Sequence, residues 1–135
     1  MTTPFIEFDA VSFAYAERQV LRNVSFSIDV GHFAAIMGGS GSGKTTLLRL
    51  MTGQLRPDPG LVSINGKDWR QRSRDEQYDL RGRMGGVFQV GALFTVSNVF
   101  DNVAFPLREN SQLPESVIQD LVSLKLNAVG LRGVE

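Results

Sequence analysis

The sequence predicts an α/β fold in which an antiparallel patch of strands accompanies a strand, a glycine-rich loop and a helix in direct succession. Apolar and polar residues alternate from 24 to 30, which is the period of a strand with one buried face. The apolar run 33–37 then stops at a glycine-rich stretch. Apolar residues follow that stretch at helical spacing, at Leu47, Leu48, Leu50 and Met51.

The first half of the chain supplies most of these elements. Gly31 marks a turn, and the run 33–37 lacks alternation, as expected of a parallel strand buried on both faces. Gly53 stands where a left-handed residue would end the helix. Residues 61–64 form a short predicted strand, and Asn65-Gly66 is a hairpin signal. The patch of strands is therefore predicted to be antiparallel.

The second half is predicted to be mainly helical. Residues 70–83 are polar and read as a surface loop with a short helix, and a strand is predicted over 84–88. The next predicted helix begins at a cap, Thr95 or Ser97, and is broken at Pro106. The last predicted helix starts near Pro114 and ends by Gly130. The first of these helices carries Val99, Phe100 and Val103 on one face, and the last is predicted to bury Val117, Ile118, Leu121 and Val122.

Composition excludes several classes of function. The 135 residues are 42% apolar, which suits one domain, and the 14 basic residues balance 14 acidic ones. No basic field for nucleic acid is present. The absence of cysteine excludes disulfides, thiolate zinc sites and cysteine nucleophiles. The N-terminus lacks a signal-peptide pattern and no apolar run approaches about 18 residues, so we expect any membrane role to act through a partner.

The glycine-rich stretch carries the chemistry. Residues 38–45 match the P-loop pattern G-x-x-x-x-G-K-[ST] between a predicted strand and helix. Its glycines turn backbone N–H groups towards phosphate oxygens, and the helix adds its positive dipole end. Lys44 is expected to reach the outer phosphates, Thr45 to hold Mg²⁺, and Thr46 to donate to an inner phosphate. The alternative, a glycine-rich turn with a capping lysine, is disfavoured by four glycines in register with Lys44 and Thr45. The predicted phosphate-binding residues are Gly38, Gly39, Ser40, Gly41, Ser42, Gly43, Lys44, Thr45 and Thr46.

The flanking segments resemble the ATPase domains of ABC transporters. Segments 8–15 and 20–26 are similar to the start of such domains, and the resemblance implies that Tyr15 stacks on adenine. The alternative is a tyrosine on an exposed strand face. Segment 86–89 resembles the Q-loop, which implies that Gln89 reaches Mg²⁺ and the attacking water and acts in catalysis with Lys44. The alternative for Gln89 is a polar loop residue.

A narrower resemblance concerns segments 89–95 and 98–109, which look like the ATPases of Mla and Mce lipid transport systems. It implies an apolar surface that receives a coupling helix of a membrane permease. For Val99 and Val103 we favour the alternative that they belong to the core, whereas Leu93 and Phe94 are left open between the two interpretations. The residues of this proposed surface are Ala92, Leu93, Phe94, Phe100 and Phe105.

The family pattern continues with a signature Leu-Ser-Gly-Gly segment, an acidic strand and a switch histidine, and none of them follows before Glu135. The sole histidine, His32, reads as a turn residue. We therefore expect residues 1–135 to be the N-terminal part of one ABC ATPase domain, without the carboxylate that activates water.

The resemblance implies a cytoplasmic ATP-binding subunit at the inner face of the inner membrane. It would use ATP and Mg²⁺, form a homodimer when full length and drive a permease that moves phospholipid across the cell envelope. One alternative is an ABC ATPase for another solute, such as an amino acid or a lipoprotein. Another is a nucleotide-binding or interaction module that does not hydrolyse ATP.

Overall fold

The structure, a computed structural model, describes residues 4–87 and 93–133. The chain divides into two compact units, residues 1–84 and 85–135, which are described separately. The first unit contains strands β1 (Ile6–Tyr15), β2 (Arg18–Ile28), β3 (Leu61–Ile64) and β4 (Lys67–Asp68) and helices α1 (Lys44–Met51) and α2 (Arg74–Gly82). The second contains α3 (Val99–Asn110) and α4 (Glu115–Ala128).

An antiparallel sheet in the order β2-β1-β3-β4 forms the first unit's framework. Phe8 in β1 faces Phe26 in β2 on one side and Val62 in β3 on the other. The rings of Phe8 and Phe26 stack with centroids 4.6 Å apart. The predicted antiparallel patch is thus confirmed, and the Asn65-Gly66 turn joins β3 to β4 with positive φ at both residues.

Helix α1 packs its apolar residues into the core of this unit. Leu47 and Leu50 are buried in one cluster with residues of the sheet, while Leu48 is exposed. Burial of each such side chain stabilises the fold by about 1.5–3 kcal/mol. The packing fixes the first turn of α1, and with it the loop before it. The other buried residues of the cluster are Phe8, Val11, Leu21, Val62, Ile64 and Trp69.

The C-terminal end of α1 is held by Trp69, which begins a short 3-10 helix (Trp69–Gln71). Its indole N–H donates to the carbonyl of Met51 at 3.0 Å. Gly53 has a φ of 69°, as the sequence predicted for the residue ending this helix, and a Cβ there would lie 2.7 Å from the Trp69 ring. Only glycine fits this position, because the backbone is left-handed there and a side chain would collide with the Trp69 ring.

Helix α2 confirms the short helix predicted within 70–83. A capping box begins it: the Ser73 hydroxyl accepts from the Glu76 N–H, and the Glu76 carboxylate accepts from the Ser73 N–H at 2.7 Å. Glu76 also pairs with Lys67 of β4 at 2.5 Å. Arg81 lies over the Trp69 ring, 5.6 Å from its centroid. These contacts attach α2 to the rest of the first unit.

The second unit is a pair of helices around a small apolar cluster of Ala104, Ile118, Val122 and Leu126. Arg108 of α3 pairs with Asp101 at 3.0 Å and with Glu115 of α4. Both helices were predicted, but α4 leaves Val117 exposed and Leu121 only partly buried.

The predicted start and end of α3 are wrong. The cap is Asn98 rather than Thr95 or Ser97, because the Asn98 side chain accepts from the Asp101 N–H at 2.7 Å. Pro106 lies inside the helix, which continues to Asn110. The Asn110 amide donates to the Pro106 carbonyl at 2.8 Å, which adds a local hydrogen bond to the turn after the proline.

Two predicted strands are absent from the described residues. Residues 33–37 pair with no other strand in 4–87 or 93–133, and Phe33 and Met37 are 106% and 89% exposed. Residues 84–87 are likewise not in a strand, and Val87 is exposed, while Phe88 lies outside the described residues. A strand buried on both faces needs partners at its edges and layers above and below it. The described residues provide none of these for 33–37.

Among the helices of the described ranges, none combines the length and the apolar character that crossing a membrane requires.

Candidate nucleotide-binding site

A cleft of about 310 Å³ opens between the β1–β2 hairpin and the start of α1. The hairpin and the glycine-rich loop each contribute one wall, so residues far apart in sequence face the same space. The lining residues are Tyr15, Arg18, Val20, Gly41, Ser42, Gly43, Lys44, Thr45 and Thr46.

Gly43 joins the loop to the hairpin. It precedes α1 with a φ of 92°, a left-handed conformation that side chains disfavour. A Cβ at this position would lie 3.0 Å from Leu21 Cδ2 and 3.1 Å from Val20 Cγ1. The missing side chain therefore lets the end of the loop pack directly on β2.

The first turn of α1 presents backbone donors to the cleft. No side chain caps this helix, and its first intrahelical hydrogen bond runs from the Leu47 N–H to the Gly43 carbonyl at 2.9 Å. The amides of Lys44, Thr45 and Thr46 precede that bond and have no partner within the helix. Such donors, together with the positive end of the helix dipole, favour an anion.

The Lys44 side chain folds back onto the backbone of the glycine-rich loop. Its ammonium donates to the carbonyls of Gly38 and Gly39 at 2.8 and 2.6 Å, and lies 3.5 Å from the Ser42 hydroxyl. Ser40 is exposed in the turn between these residues. The cation is thus held beside the cleft by uncharged carbonyl partners, which negatively charged phosphate oxygens could replace.

Tyr15 stands at the hairpin end of the cleft with 41% of its surface exposed. Its ring packs edge-on against Phe13, with centroids 4.9 Å apart. The Thr46 side chain, and more weakly Arg49, lower the pKa of the Tyr15 hydroxyl. The hydroxyl therefore lies near the side chains of α1.

The donors for a metal ion are few in the described ranges. Thr45 is exposed in the cleft, whereas Thr46 is buried. No cluster of three histidine, aspartate or glutamate residues suited to a metal occurs in the described part of the chain. One hydroxyl, phosphate oxygens and water are nevertheless the kind of oxygen ligands that Mg²⁺ takes in phosphate-bound sites, so Thr45 fits the ion when a nucleotide supplies the rest.

The structure brings together most of the predicted site residues. Tyr15 and residues 41–46 share the cleft, and the carbonyls of Gly38 and Gly39 hold Lys44. Gln89 lies outside the described residues. Sequence reasoning missed Arg18 and Val20, although Arg18 could have been found from its place directly opposite Tyr15 across a two-residue turn.

Some of the apolar residues considered for a partner surface are packed in a core, and others are exposed. In the second unit Val103 and Phe100 pack against the small core, which confirms the core interpretation for Val103. Val99 is exposed, so that interpretation is wrong for it. Leu93 and Phe94 are also exposed, and the rings of Phe94 and Phe105 meet edge-on at 4.7 Å. Ala92 lies outside the described residues.

Residues 21–133 match the family described as ABC transporter. The chain belongs to the ABC transporter family, and its glycine-rich loop is the P-loop of that family's ATP-binding domain. A solved ATP-binding cassette, described as a dimeric post-hydrolysis state bound to ADP and Pi, superposes with a TM-score of 0.80 at 27% identity. That match covers 95% of this chain and 58% of the solved one.

Two curated relatives share the name "Intermembrane phospholipid transport system ATP-binding protein MlaF". The relative from Haemophilus influenzae is 47% identical over 98% of this chain and 50% of its own length. The relative from Escherichia coli K12 is 51% identical over 91% of this chain and 46% of its own length. The chain therefore spans about half the length of the curated relatives it matches.

Proposed function

We propose that this chain provides the nucleotide-binding half-site of an ATPase subunit that powers phospholipid transport across the cell envelope. The observation that carries the proposal is the cleft in which Tyr15 faces the first turn of α1. An aromatic platform and an anion-binding helix end in one space match the two ends of a nucleoside triphosphate.

Each residue then has a definite role. The base stacks on Tyr15, and the phosphates lie on the amides of residues 44–46, where Lys44 exchanges its carbonyl partners for the outer phosphate oxygens. Thr46 serves an inner phosphate. Thr45 would hold Mg²⁺, which when bound neutralises phosphate charge. Gln89 is proposed, on the family resemblance alone, to reach the metal and the attacking water.

We base the proposed domain extent and partners of the protein on its family. We propose that residues 1–135 are the N-terminal part of one ABC ATPase domain, and that the whole protein forms a homodimer on a transmembrane permease at the cytoplasmic face of the inner membrane. Exposed Leu93, Phe94 and Phe105 are candidates for the permease contact. The phospholipid substrate is supported by the printed names of the two relatives at 47% and 51% identity.

Nucleotide binding is tested by calorimetric titration of the purified protein with ATP and Mg²⁺. Lys44→Ala should weaken binding by at least about tenfold, since it removes a charge-assisted contact. Lys125→Ala is the matched control, because it removes a lysine of α4 that does not line the cleft. Equal affinity of the wild type and both variants would refute the assigned role of Lys44.

The transported substrate is tested in vesicles that contain the ATPase with its permease. ATP-dependent movement of a fluorescent phospholipid, lost in Lys44→Ala and kept in Lys125→Ala, is the expected result. Movement of an amino acid or a lipoprotein with no movement of phospholipid would instead support the alternative solutes. ATP binding without turnover in the assembled complex would support a module that does not hydrolyse ATP.

A further inference from the structure

Arg18 is a charged lining residue of the cleft that lies outside the P-loop pattern. It begins β2, directly opposite Tyr15 at the end of β1, with Ala16 and Glu17 forming the turn between them. The antiparallel register therefore places the guanidinium-bearing residue and the aromatic platform at the same level of the hairpin.

The strand fixes where Arg18 stands relative to the phosphate loop. Val20 is the β2 residue next to Gly43, and Arg18, two positions nearer to the turn, also lines the cleft. Two residues of strand advance the chain by roughly 7 Å. Arg18 thus lies two strand residues away from the contact with the loop, beside the Tyr15 ring rather than beside the expected position of the outer phosphates.

The charge of Arg18 is not neutralised within the described residues. Ion pairs there involve Lys67, Arg70 and Arg108, and Arg18 has neither a side-chain hydrogen bond nor an aromatic ring beneath it in residues 4–87 and 93–133. The cleft lining contains two cations, Arg18 and Lys44, and no acidic residue. Because the Lys44 ammonium is at the loop carbonyls, the hairpin end of the cleft has a separate positive charge of its own.

We propose that Arg18 binds the α-phosphate of a nucleotide whose base stacks on Tyr15. The α-phosphate is the phosphate nearest to the base, so it falls between the platform and the loop, within reach of a long side chain at this level. The planar guanidinium suits a phosphate because it donates two parallel hydrogen bonds. This inference rests on the proposed nucleotide function and adds a contact that the P-loop itself does not provide.

The test compares ATP, ADP and AMP, which share the α-phosphate and differ beyond it. Unlabelled nucleotides are titrated calorimetrically, with AMP measured by displacement of ADP, because a label on the ribose would lie near Arg18. Arg18→Gln should weaken all three by a similar factor, about fivefold to tenfold, as expected for one charge-assisted contact. Lys44→Ala should instead weaken ATP and ADP more than AMP. Arg22→Gln, which removes a β2 arginine outside the cleft lining, should leave all three affinities unchanged.

The possible results separate this inference from the proposed function. Equal losses for the three nucleotides in Arg18→Gln, partly restored in Arg18→Lys, would support the α-phosphate contact. Unchanged affinities in Arg18→Gln, with ATP binding still dependent on Lys44, would overturn the role of Arg18 and leave the proposed function standing. A loss confined to ATP would also overturn it, since it would place Arg18 at the outer phosphate. Absence of ATP binding by the wild type would overturn both.

Discussion

The ammonium of Lys44 donates a hydrogen bond to the backbone carbonyl of Gly39 at 2.6 Å. The cation thus shapes the loop before any ligand arrives. Lys44→Ala should therefore change the NMR amide resonances of Gly39 and Ser40 in nucleotide-free protein, because the carbonyl between them loses its charged partner. Lys125→Ala should leave these resonances in place. Identical spectra of the loop in the wild type and Lys44→Ala would contradict the contact.

The ring and the hydroxyl of Tyr15 are predicted to contribute differently. Base stacking on an aromatic ring is worth about 1–3 kcal/mol, so Tyr15→Ala should weaken ATP binding by roughly fivefold to a hundredfold. Tyr15→Phe keeps the ring and loses only the hydroxyl near Thr46, and its affinity should stay within about threefold of the wild type. Calorimetric titration of both variants measures the difference. An equal loss in the two variants would assign the effect to the hydroxyl instead.

Gly43→Ala should reduce stability as well as binding. A left-handed conformation costs a residue with a side chain about 1–2 kcal/mol, and the new Cβ would press on Val20 and Leu21. We expect the free energy of unfolding in urea to fall by about 1–2 kcal/mol or more. Gly82→Ala in α2 is the control, since a Cβ there meets nothing within 4 Å. If Gly43→Ala were no less stable than Gly82→Ala, the packing of the loop on β2 would be wrong.

The capping box of α2 should make stability depend on acid pH. The Glu76 carboxylate accepts hydrogen bonds from Lys67 and from the Ser73 N–H. These two contacts, the Lys67 contact more strongly, lower the pKa of Glu76 below its ordinary value of 4.5. A lowered folded-state pKa means that the stabilisation is complete above that ordinary value and is lost as the pH falls through the folded-state pKa. The melting temperature of the wild type should therefore exceed that of Glu76→Gln at pH 7, and the difference should shrink below about pH 4.5. A difference that stays constant down to pH 3 would exclude this role of Glu76.

Features with a local cause could be predicted from the sequence. Asn65-Gly66 and Gly53 need only the chain's own backbone preferences, and both lie where they were predicted. The P-loop and the alternation around Phe26 are likewise local patterns. Tyr15 could be placed in the site only through the family resemblance, because no local rule brings β1 to α1.

Features that depend on distant partners could not be predicted. Residues 33–37 have the composition of a buried strand, yet strand formation requires neighbours that the described residues do not supply. Thr95, Ser97 and Asn98 are all suitable helix caps, and only the geometry around Asp101 selects Asn98. Arg18 joins the site through the register of a hairpin, so it could be found only once the turn after Tyr15 is recognised, and composition alone does not reveal it.

Segment 33–37, which pairs with no strand in residues 4–87 or 93–133, leads directly into Gly38. The far end of the loop is packed on β2 at Gly43, whereas the chain entering the loop has no such strand contact there among the described residues. Any segment that paired with 33–37 would restrict the backbone at Gly38 and Gly39 and so lower the conformational entropy lost when phosphate orders the loop. Strand pairing at a distance would thereby increase nucleotide affinity without adding a single contact to the nucleotide.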